Sequence, residues 1–118
     1  MITENELHEF EGAIFTGVTV GIGSLVLLFS SGTHILIQCP FRCEKKNSFH
    51  VGHGEDISTS NLLFSYLNQR VELCSLLDGE ILKLFFGNES NIYIVPENNG
   101  FESYVITTSQ GDYPVIAY

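Results

Sequence analysis

Cations are what this chain has least of. Five Lys and Arg stand against fourteen Asp and Glu, a formal charge of −9 over 118 residues. Residues 1–41 and 84–118 contain no Lys or Arg, while Arg42, Lys45 and Lys46 sit together. Nucleic-acid binding depends on cations that displace phosphate counterions, so this scarcity argues against it. An anionic membrane would repel the chain for the same reason. The surplus of carboxylate suits a basic protein partner, whose approach such a field accelerates. Acidity of this degree also serves plain solubility.

Other absences narrow the chemistry. Three cysteines cannot all pair, and the opening Met1–Glu6 stretch is acidic where a secretory signal would be basic. A reducing cytoplasm is therefore the expected compartment. The longest apolar stretch, Val18 to Phe29, is broken by Gly21, Gly23 and Ser24 and is too short to span a bilayer. No Gly-x-Ser-x-Gly elbow occurs, and no Cys stands beside a His at a helix start. Gly17, Gly21 and Gly23 precede a strand rather than a helix, and no Gly-Lys-Ser/Thr follows, so they read as hairpin turns and not as a phosphate loop. His34 lies mid-strand, where a satisfied or edge-exposed imidazole is expected. The carboxylate pairs Glu55–Asp56 and Asp78–Glu80 fall in solvated turns that give a general acid no raised pKa. No enzymatic activity is expected.

Cys39, Cys43, His50 and His53 have the residue types of a zinc site. Their spacing is poor, because only six residues separate Cys43 from His50 and Pro40 stiffens the interval between the cysteines. Buried thiols with surface imidazoles are expected instead, with no metal and no cofactor.

What the chain has is a repeat. Ile14, Leu25, Leu27, Phe29, Ile35 and Ile37 fall, 57 residues on, upon Val71, Leu82, Leu84, Phe86, Ile92 and Ile94. The apolar register recurs while the intervening polar residues do not, which marks a duplicated scaffold rather than a duplicated site. Segments Ala13–Val20, Ser24–Ser30 and Thr33–Gln38 read as strands, replayed by Val71–Leu77, Glu80–Phe86 and Asn91–Val95. A further strand is indicated at Ser48–Val51, although Gly52 and Gly54 weaken it. Ser103–Thr108 and Val115–Tyr118 close the chain within residues 103–118. Residues 1–9 read as a polar lead-in. Ser58–Leu67 is the one helix candidate, with Ser58 or Ser60 as its cap. One domain over residues 1–118 follows: repeat A at about 10–41, a helix at about 58–67 and repeat B at about 67–98. The expected fold class is α+β, mainly antiparallel, with the two three-stranded units forming one twisted sheet or a partly open barrel.

The doubled pattern L-x-L-x-F then I-x-I, with the short helix before Val71 and the tail Phe101-Glu102-Ser103-Tyr104, resembles small bacterial immunity proteins of polymorphic-toxin and contact-dependent growth-inhibition systems. The resemblance is one of architecture and covers residues 10–118. It implies a cytoplasmic antidote that binds a cognate toxin C-terminal domain, often a basic nuclease, and covers its active or nucleic-acid-binding surface. It transfers no list of contact residues.

Contacts are instead chosen by protrusion from turns: Glu55 and Asp56, Asp78 and Glu80, Glu97 and Asp112, with Tyr113 and Tyr118 as aromatic anchors. Glu102 either fixes the closing strand or faces a partner, and the structural role is the expected one. A monomer or weak dimer is anticipated. Two other classes stay open: a self-associating domain that pairs through a strand edge, and a small-ligand binder with a cavity between the repeats.

Overall fold

In the computed structural model, which describes residues 2–118, ten strands form two five-stranded antiparallel sheets. The strands are β1 (Phe15–Gly21), β2 (Ser24–Phe29), β3 (His34–Ile37), β4 (Pro40–Lys45), β5 (Ser48–His53), β6 (Leu73–Leu77), β7 (Ile81–Phe85), β8 (Asn91–Ile94), β9 (Glu102–Thr108) and β10 (Gly111–Ile116). The first sheet has the order β1-β2-β3-β9-β10 and the second β5-β4-β8-β7-β6. The expected class, mainly antiparallel β with little helix, is what the chain adopts. The two repeated units lie one in each sheet, and the sheets are not closed into a barrel.

The repeat dictates this arrangement. Each unit is a three-strand meander followed by a hairpin, and each hairpin is added to the other unit's sheet. In the first sheet Ile35 pairs with Ile106 and Ile37 with Tyr104. In the second, the equivalent Ile92 pairs with Cys43 and Ile94 with Phe41. The meanders match at an offset of 57 (Leu25 to Leu82), but the hairpins match at 63 (Phe41 to Tyr104). The difference lies between β8 and β9, in the loop 95–101. At the corresponding point of the first repeat only Gln38 and Cys39 separate β3 from β4. That crossing is close: Gln38 N–H donates to Ser103 O, and a Cβ on Gly54 would collide with the Ile37 carbonyl.

Side-chain alternation makes the core. Leu25, Leu27, Phe29, Ile35 and Ile37 from one unit, and Leu82, Leu84, Phe86, Ile92 and Ile94 from the other, bury their side chains in a single cluster. Each such side chain contributes about 1.5–3 kcal/mol on transfer from water. Phe15 bridges the halves, with its ring 5.5 Å from Phe29 and 6.3 Å from Phe86. Core side chains thus occupy the interval between the repeats, where a ligand cavity was one expectation.

Several local readings are refined. The expected helix is present at Ile57–Tyr66 but is wound as a 3-10 helix, and Asp56 rather than Ser58 or Ser60 caps it, accepting from Ser58 N–H at 3.0 Å. Its buried residues, Leu63 and Tyr66, stand three apart, the period of that tighter winding. The polar lead-in contains a short helix α1 (Glu4–His8), held by a reciprocal cap in which Thr3 N–H donates to Glu6 Oε1 at 2.6 Å. Strand β4, which no expectation included, alternates buried Phe41 and Cys43 with outward Arg42 and Glu44. The Ser48–Val51 strand is real and runs on to His53 as β5. Among the described residues, no helix is long and apolar enough to cross a membrane.

Candidate functional site

The long β8–β9 loop, with the turn after β5, builds a cleft of about 570 Å3 at the point where the chain passes between sheets. Gln38, Glu55, Glu97, Asn99, Phe101, Glu102 and Ser103 line it. Local hydrogen bonds hold the loop in shape. Glu97 N–H donates to Ser103 Oγ at 3.1 Å, Phe101 N–H to the Asn99 carboxamide oxygen at 3.0 Å, and Gly100 N–H to Ala117 O at 2.9 Å. Gly100 has φ +76°, a conformation that turns the chain sharply and leaves Phe101 75% exposed. The C-terminal Tyr118, 90% exposed, lies beside Gly100.

Three of the described residues that line this cleft are glutamates and none is Lys or Arg. His53, at the end of β5, organises two of them. Its Nδ1 accepts the Glu55 backbone N–H at 3.1 Å, so the neutral ring carries its proton on Nε2 and donates to Glu97 Oε1 at 3.3 Å. The Glu55 carboxylate stands 3.9 Å from Nδ1. The arrangement accepts hydrogen bonds and positive charge, and Phe101 adds aromatic surface to it, with Tyr118 beside Gly100.

The eight residues chosen by protrusion separate here. Glu55 and Glu97 come together in the cleft, with Tyr118 close by. Asp56 is occupied as a helix cap, and that bond with Ser58 holds its carboxyl below the usual range. Asp78 and Glu80 form the β6–β7 turn and are not among the lining residues of the cleft. Asp112 accepts from Thr107 Oγ1 at 2.7 Å on the first sheet. Tyr113 turns inward and packs half-buried against the core, so it offers less surface than expected of an anchor. Glu102 and Phe101, which no contact choice included, do line the cleft. Glu102 is exposed, contrary to the structural role expected for it. An acid beside an aromatic after Gly100 was the available signal.

The metal candidates do not converge. Cys39, Cys43 and Cys74 are free and buried, and burial pushes the Cys39 and Cys43 thiols up to about 12. His50 pairs with Cys43 across β4–β5 but lies exposed, while His53 is engaged with glutamates. No group of three His, Cys, Asp or Glu among the described residues is placed to hold a metal ion.

Charge is segregated between the sheets. Strands β1, β2, β3, β9 and β10 contain no Lys or Arg. In the second sheet, Arg42 and Lys83 flank the Tyr93 ring at 4.8 and 5.7 Å.

No family model, curated protein or solved structure matches this chain.

Proposed function

We propose that this protein is a non-enzymatic, cytoplasmic immunity protein that neutralises a basic toxin domain by occupying its cationic surface. One observation carries the reading: Glu55, Glu97 and Glu102 converge in a cleft lined by no Lys or Arg and by exposed Phe101, with exposed Tyr118 beside the neighbouring Gly100. A nuclease needs positive potential to hold phosphate, and a carboxylate array backed by aromatics fits such a surface. Charge-assisted pairs to Arg or Lys, with aromatic contacts beside them, give fast and tight association. The shielded thiols offer no nucleophile, which agrees with a binding role. The architectural resemblance to immunity proteins supports the same reading.

Co-expression with the C-terminal domain encoded by the neighbouring gene tests it. Rescue of growth by this protein, and loss of rescue on combined Glu55→Lys, Glu97→Lys and Glu102→Lys substitution, is the expected result. A toxic domain that this protein fails to neutralise would overturn the proposal.

A further inference from the structure

The outer face of the first sheet carries a row of side chains in register across all five strands. Thr19 pairs with Val26, Val26 with Leu36, Leu36 with Val105, and Val105 with Pro114. Directly opposed residues of an antiparallel sheet share a face, so these form one continuous stripe. It is apolar apart from Thr19, and its members are half-exposed or exposed. Leu28 and Ile116, on the same sheet, add to it at 37% and 38% exposure. A shallow groove of about 320 Å3 runs over the Leu36–Val105 part, bordered by Glu102 and Asp112. Glu102 lines the acidic cleft as well, so groove and cleft meet at one residue.

We infer that this sheet face is the apolar floor of the interface, and that its occupant is a protein surface with an aliphatic ridge flanked by Lys or Arg. The inference rests on the reading of a basic partner and names the part of the molecule that meets it. Charge complementarity fixes the occupant. The stripe is bordered by carboxylates, with His34 beside them in the groove, and the strands of its own sheet contain no Lys or Arg to neutralise them. A second copy would have to bring its Arg42–Tyr93–Lys83 face against the stripe, with each protein carrying a charge of −9. An apolar floor with an acidic rim also divides the work. The floor supplies affinity that salt does not weaken, and the rim supplies steering that salt does.

The test uses the full chain, labelled for NMR, with three synthetic peptides of equal length: alternating Lys and Leu, alternating Lys and Ser, and alternating Glu and Leu. The Lys/Leu peptide is expected to shift the amides of Leu36, Val105 and Glu102 and to bind at least about tenfold more tightly than Lys/Ser. Leu36→Lys with Val105→Lys, both at half-exposed sites and checked for an unchanged amide spectrum elsewhere, should remove that advantage. Leu73→Lys, on the other sheet, should not. If Lys/Ser binds equally well at Glu55 and Glu97, the sheet face is not the floor, though the acidic cleft survives. If Glu/Leu alone binds, or if neither cationic peptide binds, the basic-partner reading falls with it. Concentration-dependent shifts at Leu36 and Val105 in the free protein would identify a second copy as the occupant and overturn the inference.

Discussion

The Tyr104 hydroxyl, on β9 of the first sheet, donates to the Glu80 carbonyl oxygen in the β6–β7 turn of the second, 2.8 Å away. The ring is fully buried, and burial pushes the phenol's pKa up, which favours the protonated, donating hydroxyl. This bond couples the two sheets through a side chain rather than through the strand ladders. Tyr104→Phe keeps the ring and strands one carbonyl, so it should destabilise the fold by about 1–2 kcal/mol. Tyr104→Ala also empties core volume and should cost about 3–5 kcal/mol. Urea denaturation at unchanged m-value measures both. Equal losses would mean that the hydroxyl, not the ring, carries the coupling.

Gly54 sets how closely the sheets approach at the β3–β4 crossing. Its Cβ would fall on the Ile37 carbonyl, which is backbone and cannot swing aside. Gly54→Ala should therefore destabilise by about 1–3 kcal/mol, the range for overpacking. A Cβ on Gly52 meets the Phe41 ring instead. Phe41→Leu should partly rescue Gly52→Ala but leave Gly54→Ala unrelieved. Thermal melts of the four variants decide between ring and backbone as the constraint.

These two glycines show where the sequence was legible and where it was not. Strand positions were readable because Leu25, Leu27 and Phe29 alternate inward and recur at Leu82, Leu84 and Phe86. Gly52 and Gly54 argued against strand β5, since intrinsic preference penalises glycine there. In the fold they are required by the close approach of Phe41 and Ile37, a tertiary fact no local pattern records. The exchange of hairpins was hidden for a related reason. Phe41 corresponds to Tyr104 only at an offset of 63, so a repeat search at 57 passes over it. Strand β4 went without an expectation because Arg42, Glu44 and Lys45 interrupt it, although Phe41 and Cys43 keep the inward alternation. Of the cleft, Glu55 and Glu97 could be chosen as turn acids. Glu102 had only its place beside Phe101 after Gly100 as a signal, because its delivery to the cleft depends on the 95–101 loop.

His8 and Glu11 give the fold a pH signature. His8 Nδ1 lies 2.8 Å from Glu11 Oε1, and Glu11 Oε2 accepts the Cys74 N–H at 3.1 Å, tying the segment after α1 to β6. The hydrogen bond to Glu11 raises His8 above its ordinary 6.5, and the bond to His8, followed by that from Cys74, lowers Glu11 below 4.5. A raised histidine stabilises fully below 6.5, and its contribution fades as pH rises through the folded-state value. A lowered glutamate stabilises above 4.5, and its contribution fades as pH falls through the folded-state value. Both act together between 4.5 and 6.5. The melting-temperature advantage of wild type over His8→Asn should be largest in that window and vanish in alkali. An advantage that grows with pH would contradict the pairing.

The three thiols make a test of burial that needs no partner. Cys39, Cys43 and Cys74 are buried, and desolvation raises the pKa of each, which leaves almost no thiolate at neutral or mildly alkaline pH. With the native protein at about pH 8, where a free thiol is near its midpoint, an aromatic disulfide reagent should label none of them on the timescale of minutes. In denaturant all three should react promptly. Labelling of the native state should then follow the unfolding equilibrium, so Tyr104→Phe should accelerate it in proportion to its loss of stability. One thiol that reacts at once in the native protein would show that its strand opens independently. Cys74 on β6 is the one to watch, because that strand is a sheet edge and its N–H donates to the Glu11 carboxylate. Glu11→Gln should speed labelling at Cys74 and leave Cys39 and Cys43 unchanged.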